Sequence, residues 1–239
     1  IAPETWGMHI FSDVTRYVRQ CQAKNDVVYR RADIMANVDN INNGLYVGIG
    51  NSASHRYSIQ WTGDIGTSDQ DILEEVTDMI RCGDNCLPYV HPDCGGNNGN
   101  PDKDTYLRWM KFGALSTVLR PHCTICVKRF REPWAYGDKA VEDIVRDYIN
   151  LRYRLLPLLY TEAYKSYRDG SPICRGLGWN YPDDKKALVC KTQYMIGANL
   201  LVAPVFGGAL NNVPQSFYAT PVDVTYYNGR ELKGEPIAK

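Results

Sequence analysis

The chain has 239 residues, 27 Lys and Arg against 27 Asp and Glu, and therefore no net charge. A chain of that length can bury a large single core, or one domain and part of a second, without disulfide or metal staples. Its balanced charge argues against a protein that grips nucleic acid or an anionic membrane, and no apolar run reaches membrane-spanning length, so a neutral partner fits better.

Taken in chain order, Ile1-Ala2-Pro3-Glu4 opens without the basic and apolar regions of a signal peptide, which leaves the compartment, cytoplasmic or secreted, unassigned. The spacing of Val14, Tyr17, Val18 and Cys21 predicts a helix from Ser12 to about Asn25, capped by Ser12 or Asp13, that should pack on something. Gly44 to Gly50 reads as a buried parallel strand and Tyr57 to Trp61 as a second. Ser68 should cap a helix carrying Ile72, Val76, Met79 and Ile80 on one face, with Gly83 just past its end. Leu87 to Val90 then reads as a strand, Thr105 to Ala114 as a helix and Ser116 to Arg120 as another strand. A long helix from Asp138 to Tyr167 follows, with Pro157 inside it.

This alternation implies βαβ units and a mostly parallel sheet, in which function gathers in the loops after the strands. After Gly197 the pattern changes: Leu200 to Val205 is strand-like, and Thr225 to Arg230 reads as a strand entering an Asn-Gly hairpin turn. Cys82 and Cys86, and Cys123 and Cys126, have spacings that zinc could use, but they fall at opposite ends of the strands they flank. Half-buried thiols are the simpler reading, and neither a metal nor a cofactor is expected.

Three consecutive loops carry the polar residues. Trp61-Thr62-Gly63-Asp64 ends a strand with a carboxyl beside an indole, which suits a general acid shielded from water, although an Asp after Gly also serves as a turn or cap. His91-Pro92-Asp93-Cys94-Gly95-Gly96-Asn97 and Arg120-Pro121-His122 follow. Arg120 with Asp93 could be a structural ion pair and His122 a core histidine, yet together the three loops point to one cleft.

Further along, the series is Arg56-Tyr57-x-x-x-Trp61-x-Gly63-Asp64, Asp93-x-Gly95-Gly96, Tyr106-Leu107-Arg108-Trp109-x-x-Phe112-Gly113-Ala114, Arg120-x-His122 and Arg131-Glu132-Pro133-Trp134-x-Tyr136-Gly137. It continues with Leu151-Arg152-Tyr153-Arg154-Leu155-Leu156-Pro157, Tyr181-Pro182-Asp183-Asp184 and Leu200-Leu201-Val202-Ala203-Pro204-Val205. In order and spacing, over about residues 44 to 206, this resembles glycoside hydrolase family 31. The resemblance implies a (β/α)8 barrel followed by β-sandwich domains and hydrolysis of terminal α-linked sugars with retention. Asp64 matches that family's general acid/base, and Trp61 and His122 match residues that contact the sugar. Arg120, Asp93 and Asn97 complete the candidate sugar-binding set.

Two departures bear on function. A retaining mechanism needs a second carboxylate about 5 to 5.5 Å from the acid. The family's aromatic-x-Asp-x-x-Glu stretch does not occur before Gly44; Asp13 is the nearest candidate, and a helix cap is its expected role. Gly48 and Asn97 stand where family α-glucosidases carry Arg and an aromatic residue, an enlarged pocket that resembles α-N-acetylgalactosaminidases. Leu115, Thr117 and Pro121 also differ from the family pattern near its last strand.

The expected fold is therefore α/β: about strands five to eight of a (β/α)8 TIM barrel over residues 1–197, then the start of an antiparallel β domain over 198–239. The expected partners are a carbohydrate substrate and the remainder of the same enzyme, which would supply the nucleophile and the N-terminal half of the barrel, with no nucleic acid or membrane. The alternative is a non-catalytic carbohydrate-binding or scaffold fragment.

Overall fold

A computed structural model describes residues 3–24, 35–36, 59–207 and 218–221. The strand expected at Gly44 to Gly50, Gly48 itself and the hairpin expected at Thr225 to Arg230 lie outside them. Among the described residues, no helix is long and apolar enough to cross a membrane.

Helix α1 spans Pro3–Lys24, so it begins nine residues before the expected cap. Pro3 is suited to a first turn, where its missing N–H has no partner to lose. Ser12 and Asp13 are thus interior rather than capping residues, and Asp13 forms an ion pair with Arg16 at 2.8 Å on the exposed surface. The face carrying Val14 and Tyr17, expected to be packed, is largely open to solvent.

Strands β1 (Met35–Ala36), β2 (Ile59–Trp61) and β3 (Val90–His91) form a parallel sheet in the order β1-β2-β3. Gln60 aligns with Val90 and Trp61 with His91, so the loops after β2 and β3 leave the same end of the sheet. Helix α2 (Asp69–Asp84) connects them, and Ser68 closes a capping box with Asp71. Ile72, Val76, Met79 and Cys82 are buried along one face, each large apolar side chain contributing about 1.5–3 kcal/mol. Gly83, expected beyond the end, lies inside α2, whose cap is Asn85. Its role is close approach: a Cβ there would come within 2.7 Å of the Cys174 carbonyl oxygen.

The strand expected from Leu87 is shorter, because Leu87 N–H closes the helix end on Cys82 O and Pro88 has no N–H to offer. Helix α3 (Lys103–Ala114) is capped by Asp102 and buries Tyr106, Trp109, Met110 and Phe112. Residues 116–120, expected as a strand, form none. Arg152 donates to the carbonyls of Ala114, Ser116 and Thr117 at 2.7–3.1 Å, and Ser116 Oγ donates within the same stretch. Side chains thereby take the acceptors a ladder would use. An isolated parallel bridge between Cys94 and Pro121 marks where the segment passes β3.

Helix α4 (Lys139–Asp169) contains Pro157 and ends on Gly170 in the left-handed conformation at φ 80°. Strands β4 (Cys174–Gly176), β5 (Tyr194–Ile196), β6 (Leu200–Ala203) and β7 (Tyr218–Pro221) make an antiparallel sheet in sequence order. Two of these strands lie upstream of Gly197. Short helices α5 (Leu177–Asn180) and α6 (Lys185–Leu188) fill the connection between β4 and β5. The layers are fused: α2, α3 and α4 share one core cluster with Tyr194, Ile196 and Val202.

Candidate active site

The three polar loops meet, and main chain joins them. Asn97 N–H donates to Ile65 O at 3.0 Å, tying the loop after β3 to the loop after β2. Cys94 N–H donates to Arg120 O at 3.0 Å and His122 N–H to Cys94 O at 3.3 Å, tying in the third. Thr124 N–H closes the set on Asn97 O at 3.0 Å. Gly63, Gly95 and Gly96 have φ of 94°, 97° and 79°, which lets the chain turn where an L side chain would be strained.

Asp93 is the centre, with no exposure to solvent. Its Oδ1 accepts the Trp61 indole N–H at 2.8 Å and pairs with the Arg120 guanidinium. Arg120 lies over the Trp61 ring, 5.7 Å from its centroid. His122 Nε2 stands 4.0 Å from Asp93 Oδ2, an oxygen that is buried and has no hydrogen-bond partner. Burial pushes the Asp93 carboxyl up, and Arg120 above all holds it back. Asp64 is half-buried at the turn after Gly63, near enough for its charge to act on Asp93. Asn97 is buried in the loop wall. The Trp61 indole, expected to shield Asp64 from water, gives its N–H hydrogen bond to Asp93.

Several residues of this neighbourhood were not singled out from sequence. His91, 1% exposed, accepts the Arg120 Nε–H at 3.0 Å and so fixes the plane of the guanidinium. Burial first, and then the positive charge of Arg120, push its imidazole down to about 4, so it is a neutral acceptor at physiological pH. Arg131 is buried and donates to the carbonyls of Gly95, Gly96, Gly99 and Arg129 at 2.7–3.1 Å, pinning the loop after β3 from behind. Arg108 holds Asp69 through Nε and Nη2, and the Trp109 indole donates to Thr67 O at 3.0 Å, so α3 clamps the loop after β2. The quoted spacing contained these residues, but only the fold shows which carbonyls they reach.

Close packing of the two loops makes one backbone position decisive. A Cβ at Gly96 would collide with the Gly66 carbonyl, and its φ of 79° adds strain. Gly96→Ala should therefore destabilise the protein by about 2–3 kcal/mol, read as a fall in melting temperature, whereas alanine at Gly137, with nothing near its Cβ, carries only the backbone cost.

Chemically, the arrangement offers one half-buried carboxyl beside a cluster of oriented donors: a guanidinium, an imidazole and an indole edge. Such a set can hold hydroxyl groups of a neutral ligand while an acid faces it. Among the described residues, no group of three or more His, Cys, Asp or Glu is placed to hold a metal ion.

Comparison with known proteins yields consistent matches. Residues 49–162 match the family model of the glycosyl hydrolases family 31 TIM-barrel domain, and residues 170–235 match that of the glycosyl hydrolase family 31 C-terminal domain. Similar sequences include alpha-glucosidase 2 of Bacillus thermoamyloliquefaciens, 33% identical over 185 residues, which cover 77% of this chain and 23% of that protein. An alpha-xylosidase of Emericella nidulans is 33% identical over 183 residues, 76% of this chain and 23% of its own length. The chain thus spans about a quarter of the length of these relatives. Among solved structures, a family 31 alpha-glucosidase from Bacteroides thetaiotaomicron superposes with TM-score 0.62 at 28% identity, over 69% of this chain and 29% of that one. A glucosidase II alpha subunit superposes with TM-score 0.60 at 31% identity, over 64% of this chain and 16% of that one.

Proposed function

The chain belongs to glycoside hydrolase family 31, and from that premise we propose that it contributes the acid/base side of an active site that hydrolyses terminal α-linked sugars with retention. Asp64 protonates the departing glycosidic oxygen and afterwards takes a proton from the attacking water. Trp61, Arg120 and His122 form the wall that holds the sugar, with the fully buried Asp93 orienting them from behind and Asn97 buried beside them. The nucleophilic carboxylate comes from residues outside those described, in the part of the relatives' length that this chain does not span. A barrel portion followed by a β portion belongs to the same proposal, with the β portion taken from the antiparallel sheet that starts at β4 rather than from the expected 198.

The observation that carries this reading is the joining of the three loops around Asp93, which supports Arg120, His122 and Trp61 acting on one ligand. A buried ion pair alone would need neither a half-exposed imidazole nor an unpartnered carboxylate oxygen beside it. The names of the relatives favour a glucose- or xylose-type sugar, and the polar Asn97 favours testing an N-acetylated one as well.

The test is to offer the full-length protein nitrophenyl α-glucoside, α-xyloside and α-N-acetylgalactosaminide, following nitrophenol release and the first-formed anomer by NMR. Release with the α-anomer appearing first is the expected result. Saturable sugar binding with no release from any of the three would favour the non-catalytic binding module instead.

A further inference from the structure

We propose that Glu75 is a positioning residue: its buried carboxyl, bonded to the Thr62 hydroxyl, fixes the strand end from which Trp61 and Asp64 enter the cleft. Only the part of this inference that concerns turnover rests on the glycosidase reading. Glu75 lies on the apolar face of α2, one turn from Ile72 and Met79 and beside Val76, and is 5% exposed. Its side chain hydrogen-bonds that of Thr62, the residue between Trp61 and Gly63.

An ionised carboxylate is poorly placed there. The charges that reach it are Asp71 and Asp78 on its own helix and Asp93 in the loop after β3, all acidic. The cations of the surrounding elements pair elsewhere: Arg81 with Asp78, Arg108 with Asp69, Arg120 with Asp93 and Arg175 toward Glu162. His91 on β3 is neutral. Burial therefore holds the Glu75 carboxyl well above the ordinary carboxylate range, opposed mainly by the Thr62 bond.

The neutral form also completes a chain of donors. Thr62 Oγ1 lies 3.5 Å from His91 O, a carbonyl that also accepts Thr62 N–H at 3.1 Å. If Glu75 carries its proton, it donates to Thr62, whose own hydroxyl proton is then free for His91 O. If Glu75 is ionised, it can only accept the Thr62 O–H, and that hydroxyl link to β3 is lost. The helix thereby steadies the two strands that deliver Trp61 and Asp93.

Sign and window follow from linkage. With the folded-state value raised above the unfolded one, the native state holds an extra proton between the two, so stability falls as pH rises through that window. Glutamine cannot ionise yet still offers an N–H to Thr62, so Glu75→Gln should gain on the wild type as pH rises above about 4.5, by about tenfold in the folding equilibrium per pH unit until the folded-state value is reached.

Wild type, Glu75→Gln and Glu75→Leu of the full-length protein are compared by melting from pH 4.5 to 8, by hydrogen exchange of residues 60–66 read by mass spectrometry, and by kcat and KM. Leucine leaves Thr62 without its donor and should speed exchange in 60–66 and lower kcat by roughly 10–100-fold, with KM changed less. Glutamine should keep exchange slow, bring kcat back to within about threefold of wild type, and show a melting advantage that widens with pH. Exchange in 60–66 at the wild-type rate in the leucine variant, or a glutamine melting difference that stays constant with pH, would overturn the proposal. Should the leucine variant not fold, the pH trend of the glutamine variant decides. A wild type without glycosidase turnover counts against the functional reading alone, since melting and exchange still report on Glu75.

Discussion

Asp64→Asn in the full-length protein should lower kcat/KM on an alkyl α-glycoside by roughly 10²–10⁴-fold while leaving the fold intact. The amide keeps the size of the carboxyl, and the turn that carries it is set by Gly63 at φ 94° and by the Ile65 N–H bond to Gly63 O, neither of which depends on the side chain at 64. On the proposed role of Asp64, what disappears is the proton for the departing oxygen. A dinitrophenyl glycoside has a leaving group that needs little protonation, so formation of the glycosyl-enzyme should be nearly unaffected and only its hydrolysis slowed. The two substrates separate the explanations. Equal losses on both would mean that Asp64 binds rather than protonates, and no loss on the alkyl glycoside would remove it from the mechanism.

The second large effect is expected at Arg120. Asp93 is fully buried and Arg120 is its main counter-charge, so Arg120→Leu leaves a desolvated carboxyl with the Trp61 N–H and the His122 imidazole 4.0 Å away. Breaking a buried pair from one side costs about 3–5 kcal/mol. Asp93 answers by taking up a proton, because the interaction that held its carboxyl down is gone while burial still pushes it up. Its folded-state value then lies further above the unfolded one, and the native state holds the extra proton over a wider window. The loss of stability in Arg120→Leu should therefore be smallest near pH 4 and grow toward neutrality. Melting of wild type and variant at pH 4.5 and 7.5 checks this, and a deficit independent of pH would show that Asp93 is not the group responsible. Asp93→Asn should be milder, since the amide oxygen can still accept from Trp61 and Arg120 remains 30% exposed to water.

Helices α2, α3 and α4 were legible because local signals there agree with tertiary need, whereas the expected start and packed face of α1 were not met. Ser68 announces the start of α2, and the apolar spacing of Ile72, Val76 and Met79 matches the face the core covers. Strands were less legible because hydrophobic runs do not say which carbonyls will be claimed. Residues 116–120 look like a strand until Arg152, more than thirty residues later, takes their acceptors. Gly83 looked like a stop and is a contact with β4, a demand visible only across the fold. In the cleft, the convergence of the loops could be read from residue types at the ends of strands. Glu75 and His91 could not: one is an acid on an apolar helical face and the other a histidine inside a loop already quoted, and their importance lies in what they touch.

The loops around Asp93 are joined to one another largely through amides and carbonyls, from Asn97 to Ile65, from Cys94 to Arg120 and from His122 to Cys94. Apart from the glycines and the side chains gathered on Asp93, such a frame is indifferent to what projects from it. Under the proposed function, sugar preference would accordingly drift by exchange of single lining residues while the scaffold stays in register. Divergent selectivity on one unchanged skeleton is what this architecture makes inexpensive for evolution.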